Sequence, residues 1–464
     1  MQTLFPANFN WKYYLIFMII VRLTFQDVTW YQFIALMISV HQFVLLFMGM
    51  GNIIPVRYLF GSFMCLQMLV GPTLAYNGLD SYQRGYYVMQ VPADVYYAYV
   101  LPAVVSFILG LHLFAGRFKG EIVDIKALRE FVSRNKMLPY YFIAVGFATT
   151  HVRSVFGAEL AFVFVILSNF KFVGAFLIIL GERQTKPAVL AVVFGSIILS
   201  SLTNAMFHDL LTWAIFIAAV LFMRYKPSPN VKLAFASAFV LLALFIQLIK
   251  ADYREATWAE GEQGGVETLA KTVEKGNKKN NMFSKERVAQ SNLRINQGFI
   301  VANIMKTVPD RVPFANGEEL MLILEAAFLP RVLAPDKLRA GDRTLFTKYS
   351  GMPLARGTSM GLSSVGDAYI NFGIFGGCIF MFCLGLLYSY SLNLFHKYSG
   401  SFPILILLTG VVCYYPIRPD CELQTALGHL LKGSFIIFVM LNVWKYKFRV
   451  RRPPGPRTFN VAPY

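Results

Sequence analysis

Apolar residues in this chain run in long unbroken stretches, with neither the alternation of half-buried strands nor the narrow stripe of surface helices. Crossing a bilayer's hydrocarbon core as a helix takes about 20 mostly apolar residues. Twelve stretches approach that length: 10–25, 31–50, 54–75, 95–115, 138–150, 156–180, 187–206, 208–224, 231–249, 367–395, 402–417 and 430–446. The pattern predicts an all-α polytopic membrane protein of about 12 transmembrane helices. One polar segment, 250–366, interrupts it. Connections in compact folds are usually about 4–6 residues long, and much longer ones tend to be functional. The chain therefore divides into an N-terminal bundle (1–249), a large loop (250–366), a C-terminal bundle (367–446) and a basic tail (447–464).

Within the loop the pattern changes once. Residues 254–291 are polar, as in mobile segments. From Leu293 apolar residues return at helical spacing (Ile295, Phe299, Ile300, Ile304), and a second amphipathic run, Leu320–Leu329, is closed by Pro330. These read as helices lying at the membrane–water boundary against the bundle.

Composition agrees with a membrane chain: 56% of residues are hydrophobic and 15% charged, against about 25% charged in soluble domains. The net charge of +18 suggests basic loops kept in the cytoplasm and not a nucleic-acid partner. The tail Lys445-Tyr-Lys-Phe-Arg-Val-Arg-Arg is strongly basic. Placing it inside and counting back through twelve spans puts 116–136, 181–187 and 224–232 inside as well, each carrying Lys or Arg. Both termini are then cytoplasmic and 250–366 is extracytoplasmic. The N-terminus lacks the basic start and small-residue cleavage site of a signal peptide, so its apolar run is expected to remain as a span. The five cysteines show neither metal-ligand nor disulfide spacing.

Candidate chemistry gathers at the outer rim. Leu329-Pro-Arg331-Val-Leu-Ala-Pro-Asp-Lys337 presents Arg331 and Lys337 on a proline-stiffened loop, suited to phosphate or to plain solvation. Arg294 is expected at the head of an amphipathic helix, as a ligand contact or a headgroup anchor. Asp367 stands at the lip of a span after a Gly/Ser-rich approach, placed to act as a general base or as a helix cap. Arg418-Pro-Asp420 forms an outward turn that could clamp a phosphate or sugar hydroxyl, or simply pair with itself. His208-Asp209 at a helix start and His429 near the last span are further candidates, His429 more in keeping with a structural role. Arg22, Glu159 and Lys171 also lie within apparent spans. No Walker, Rossmann, zinc-type or Asp-x-Asp pattern occurs, so metal-independent, cofactor-free chemistry leaning on arginines is expected.

The arrangement of spans and the motifs Leu293-Arg294-Ile-Asn-Gln-Gly298, Leu329-Pro-Arg331, Pro335-Asp-Lys337, Ser363-Ser-Val-Gly366-Asp367-Ala-Tyr369-Ile-Asn371-Phe-Gly373 and Arg418-Pro-Asp420 resemble bacterial O-antigen polymerases, the oligosaccharide repeat-unit (Wzy-type) polymerases. The specific likeness covers roughly the last 170 residues. Where that family often has an arginine at the outer start of a mid-chain span, this chain has Asn204-Ala-Met-Phe-His208-Asp209.

The resemblance implies a location in the bacterial cytoplasmic (inner) membrane and a substrate of undecaprenyl-pyrophosphate-linked oligosaccharide. A flippase and a chain-length regulator would be its partners. It further implies glycosyl transfer on the outer face, with Arg294, Arg331, Arg418 and Lys337 clamping the pyrophosphate and Asp367 or Asp420 taking the hydroxyl proton. An O-antigen ligase, or a flippase or transporter for a lipid-linked sugar, would be the alternatives.

Overall fold

In the computed structural model every regular element is a helix, and there is no strand among the described residues. The structure describes residues 2–24, 26–115, 122–152, 161–259, 263–279, 284–329, 334, 336–355, 358 and 360–450. The first half contains α1 (Trp11–Thr24), α2 (Trp30–Gly49), α3 (Val56–Cys65), a π-turn (Leu66–Val70), α4 (Gly71–Tyr76), α5 (Ala93–Leu113), α6 (Ile125–Arg134), α7 (Leu138–Val152), α8 (Ala161–Ser168), α9 (Phe170–Gly181), α10 (Pro187–Thr203) and α11 (His208–Tyr225). The second contains α12 (Pro229–Arg254), a second π-turn (Glu255–Ala259), α13 (Val266–Lys279), α14 (Lys285–Ile295), α15 (Gly298–Thr307), α16 (Glu318–Phe328), α17 (Arg343–Ser350), α18 (Ser363–Ser399), α19 (Leu405–Val412), α20 (Leu423–Val443) and α21 (Lys445–Phe448).

Eight helical runs among the described residues are long and apolar enough to cross a membrane: Trp30–Gly49, Val56–Tyr76, Ala93–Leu113, Phe162–Gly181, His208–Tyr225, Pro229–Trp258, Ser363–Ser399 and Leu423–Val443. The other four expected stretches are shorter helices: α1 has 14 residues, α7 has 15, α10 has 17 and α19 has 8. The chain is thus an all-helical protein with the character of a membrane protein.

The central pair is α5 and α18. Gly110 of α5 and Gly385 of α18 meet each other's backbones, so a Cβ on Gly110 would fall on the Phe382 carbonyl and one on Gly385 on the Phe107 carbonyl. Small residues let membrane helices approach this closely, and dispersion contacts supply the adhesion that the hydrophobic effect cannot supply in lipid. Buried Arg57 of α3 ties the same pair together at one end, donating to the Leu111 carbonyl, to Ser389 Oγ at 2.9 Å and to Asn393 Oδ1 at 3.1 Å.

A π-turn leaves carbonyls without their usual helical donors. Tyr96 and Tyr97 of α5, both buried, donate to Met68 O at 2.9 Å and Leu69 O at 3.0 Å. Irregular backbone at membrane depth persists only where such partners exist. The π-turn thus holds Gln67 at a fixed place on the bundle's rim.

Two sets of loops collect at opposite ends of the bundle. At one, Asn135 meets Lys447 O, Lys226 meets Gly51 O, Arg224 meets Arg183 O and Val450 N meets Ser401 O. At the other lie 77–92, 204–207, α13 to α17 and 413–422. Segment 250–366 is docked there: Asn292 donates to Gly71 O, Asn303 to Tyr86 O, Ala315 N to Ile370 O and Leu320 N to Asn371 Oδ1.

Three details differ from the sequence reading. The polar stretch 254–291, expected to be mobile, contains α13 and much of α14. Glu267, Lys271, Glu274, Lys285 and Glu286 lie outward while Thr268, Thr272 and Ala289 are buried, so few apolar residues suffice for docking. The apolar run from Leu293 to Ile304 is two helices, broken at Asn296–Gln297, where Gln297 N bonds to Gln67 O at 3.1 Å. Arg294 therefore stands in the last turn of α14 and not at a helix head. Finally, α12 does not stop at 249; it runs to Arg254 and into the π-turn.

A cationic cluster at one end of the bundle

The last turns of α12 present Lys250 and Arg254, α14 presents Arg287 and Arg294, and the turn after α19 presents Arg418 and Asp420. His208 opens α11 beside them. Arg418 Nη2 bonds Asp420 Oδ2 at 2.9 Å, and Gln67 Nε2 from the π-turn donates to Asp420 Oδ1 at 3.3 Å. Arg287 pairs with Asp252 at 2.9 Å. The charges of Arg418, Asp420, Asp209 and Lys250 all bear on His208, and those of Arg254, Arg294, Asp420 and Arg418 on Lys250. Asp209 accepts from the buried hydroxyl of Tyr414. Five cations (Lys250, Arg254, Arg287, Arg294, Arg418) thus face three carboxylates (Asp209, Asp252, Asp420), an excess of two positive charges.

Two of those cations sit in ion pairs, and among the described residues no ion pair ties up Lys250, Arg254 or Arg294. Arg254 donates to Ala205 O at 3.0 Å and lies over the Trp258 ring at 4.4 Å. Burial pulls the Arg294 guanidinium down from its ordinary value, with Asp252 opposing. Burial would push the Asp420 carboxyl up, but Arg418 and His208 outweigh it and hold the carboxyl well below the usual carboxylate range. Burial likewise opposes the charged form of Arg418, and Asp420 reverses that, holding the guanidinium firmly charged. Among the described residues, Arg418 Nε and Gln67 Oε1 inside the cluster are buried without a hydrogen-bond partner. An unpartnered guanidinium N–H beside an excess of cations is a donor awaiting an anionic acceptor.

A second arrangement lies on the other face of the 420–423 segment. Asp367, buried in the first turns of α18, accepts the backbone N–H of Leu423 and so caps α20. Glu422 accepts Gly341 N–H through both oxygens, at 2.8 and 3.0 Å. Burial pushes the Glu422 carboxyl up from its ordinary value, its hydrogen bonds opposing. Asp342, Asp367 and Glu422 line one cavity of about 20 Å³, with space for about one water.

Of the sequence candidates, the structure brings together Arg294, Arg418, Asp420 and His208. Asp367 belongs to the neighbouring acidic cavity. Lys337 donates from Nζ to Ala326 O at 3.1 Å and to Leu329 O, closing the C-terminus of α16 outside the cluster. His429 donates from Nε2 to Val411 O at 3.0 Å and packs on Tyr415, a buried structural position. Arg331 and Glu159 lie outside the described residues. Arg22 donates to Val28 O and stacks on Trp30, and Lys171 lies over Phe147, so both are engaged locally.

Sequence reasoning missed Lys250, Arg254, Arg287, Asp252 and Gln67. The first two stand i and i+4 at the end of an apolar helix, a spacing that puts them on one face. Among the described residues no group of three or more His, Cys, Asp or Glu side chains is placed to hold a metal ion. Comparison with known protein families, curated proteins and solved structures finds no match.

Proposed function

We propose that the chain is a polysaccharide polymerase of the repeat-unit (Wzy) type, joining undecaprenyl-pyrophosphate-linked oligosaccharides at the outer face of the bacterial cytoplasmic membrane. The observation that carries this reading is the cluster of Lys250, Arg254, Arg294 and Arg418. It is a half-buried cationic site at one rim of an apolar bundle, where an anionic lipid's headgroup would lie. The chain crosses twelve times in this reading, α1, α7, α10 and α19 making the four short crossings, and both termini and the basic loops are cytoplasmic. The residues 250–366 then form the outer loop.

The reaction needs little beyond charge and one proton acceptor. A hydroxyl oxygen of the incoming unit attacks the anomeric carbon of the growing chain, and the bond from that carbon to the pyrophosphate breaks. The electron pair leaves with undecaprenyl pyrophosphate, whose developing charge the preorganised cations stabilise by several kcal/mol. Asp420 is committed to Arg418 and holds it in place. His208, in no ion pair among the described residues and bonded through Nε2 to Thr212 Oγ1 at 3.3 Å, is the group placed to take the hydroxyl proton. Asp367 acts through position, fixing the start of α20 behind the 418–422 turn.

The test is glycan length in cells lacking the chromosomal copy and carrying variants present in the membrane at normal levels. Arg418→Ala and His208→Ala are expected to leave surface glycan one repeat unit long. Long chains in both variants would overturn the reading. Long chains retained on undecaprenol would indicate a ligase, and single units accumulating inside would indicate a transporter.

A further inference from the structure

At the end of the bundle away from the cationic cluster, two distant segments are joined into one surface. Asn135, which follows α6, donates from Nδ2 to Lys447 O at 3.1 Å across a separation of 312 residues. Phe448 is buried, stacked with Phe131 of α6 at 6.3 Å and edge-on to Phe142 of α7 at 6.3 Å. Val450 is buried as well, and its N–H bonds to Ser401 O at 2.9 Å. With Phe448 and Val450 turned in, Lys447 and Arg449 are turned out, and Lys445 is exposed beside them. Arg134 and Lys136, on either side of Asn135, are exposed too.

Five cations therefore surround one backbone joint. Within 125–136 and 445–450 the sole carboxylate is Glu130, and Arg134 takes it at 2.5 Å. Among the described residues no ion pair holds Lys136, Lys445, Lys447 or Arg449. Packing of Phe448 and Val450 fixes these like charges side by side, where they repel one another and attract an anion.

The same joint borders bare apolar faces. α20 reaches it with Phe435, Phe438, Val439 and Val443 exposed, followed by Trp444 and Tyr446, also exposed. α7 leaves it with Met137 and Tyr141 exposed. Trp and Tyr settle at the level of lipid headgroups, and lysine and arginine stems reach past them to the phosphates. A soluble acidic partner would meet the cations and leave the rings and the α20 face uncovered. A phospholipid meets both.

We propose that the joint of α6 and α21 is a docking surface for an anionic phospholipid. Its headgroup phosphate meets Lys136, Lys445, Lys447 and Arg449, and its acyl chains lie along α20. This surface is at the opposite end from the cationic cluster and does not depend on what that cluster binds. Each cation beside an anionic headgroup contributes about a factor of five to binding.

The test uses the full chain in phosphatidylcholine nanodiscs, with spin-labelled phosphatidylglycerol or phosphatidylcholine as the probe. The readout is the fraction of label immobilised by the protein. Wild type is expected to prefer the phosphatidylglycerol label. Lys447→Gln and Lys136→Gln, one from each segment, should each weaken that label about fivefold and leave the phosphatidylcholine label unchanged. Lys445→Gln/Lys447→Gln/Arg449→Gln should weaken it by at least about tenfold, and Lys445→Arg/Lys447→Arg should keep it. Arg84→Gln/Lys306→Gln/Arg311→Gln removes three exposed cations from the opposite end and should change nothing. Equal loss in the two triple variants would overturn the proposal, because net charge alone would then explain binding. So would loss at Lys447 without loss at Lys136, since the two segments would not share a site. Release of the label by inorganic phosphate or polyglutamate would identify a site for soluble anions and overturn it as well.

Discussion

Asp420 shows how one carboxylate can organise a cluster that is otherwise repulsive. It accepts from Arg418 and Gln67, and its neighbours keep it ionised. Both partners of the ion pair are largely covered, with 20% and 25% of their side-chain surface exposed. Removing one partner of a fully buried pair costs about 3–5 kcal/mol, and the residual exposure here brings that to ~2 kcal/mol. Asp420→Asn should therefore lower the thermal midpoint of the purified protein and also impair activity, because Arg418 loses its support. The sign of the pH dependence follows from the depressed carboxyl. Its stabilisation is fully present above the unfolded value of about 3.9 and is lost as pH falls through the lower folded value. The gap between wild type and Asp420→Asn should be constant from about pH 5 to 8 and narrow only below about pH 4. A gap that widened on acidification would refute the ion-pair account. This pair is legible in the sequence, since Arg-Pro-Asp in a turn leaves the two side chains few other partners. Its union with Lys250 and Arg294 is not, because those cations come from segments more than a hundred residues away.

At the scale of elements, the helices follow from chemistry that leaves no alternative: an apolar run in hydrocarbon must satisfy its own backbone. Where they stop or break is set by tertiary partners, which the pattern does not carry. The apolar period places the end of α12 at 249, yet the helix continues through Lys250 and Arg254 because Tyr253 packs against Phe207 and donates to Leu202 O. α18 reads as one unbroken run, yet it is broken at Gly373, with φ 63° and ψ −157°. That region is essentially closed to residues with a Cβ, at a cost of about 1–3 kcal/mol. The break sets the first ten residues of α18, with Asp367 and Asn371, at their own angle against α16 and α20. Gly373→Ala should lower stability by about 1–3 kcal/mol in thermal unfolding. It should also shorten the glycan, although residue 373 touches no member of the cationic cluster. Ala at 373 with unchanged stability and unchanged glycan length would show that the break positions nothing.

For the whole molecule, the proposed twelve crossings make a demand on sidedness that the structure renders specific. Asn135, Arg183, Arg224, Lys226 and Lys447 all lie in loops or helix ends that meet at one end, and Lys306 donates to Gln90 at the other. Four of the crossings, α1, α7, α10 and α19, are made by helices of 8 to 17 residues, short of the usual span. Such helices cross where neighbours or flanking turns cover the remaining depth. If even one of the four failed to cross, the loops beyond it would change sides. In a protein with Cys65, Cys378, Cys383, Cys413 and Cys421 replaced by Ser or Ala, single cysteines can be placed at Ser81, Lys306, Arg134 and Lys226. A membrane-impermeant maleimide should label positions 81 and 306 in intact cells, and positions 134 and 226 only after the membrane is opened. Labelling of 134 together with 306, and of 226 together with 81, would reject twelve crossings and show that α7 or α10 fails to cross. Full reversal would put the cationic cluster on the cytoplasmic face, where a polymerase of exported glycan would have no substrate.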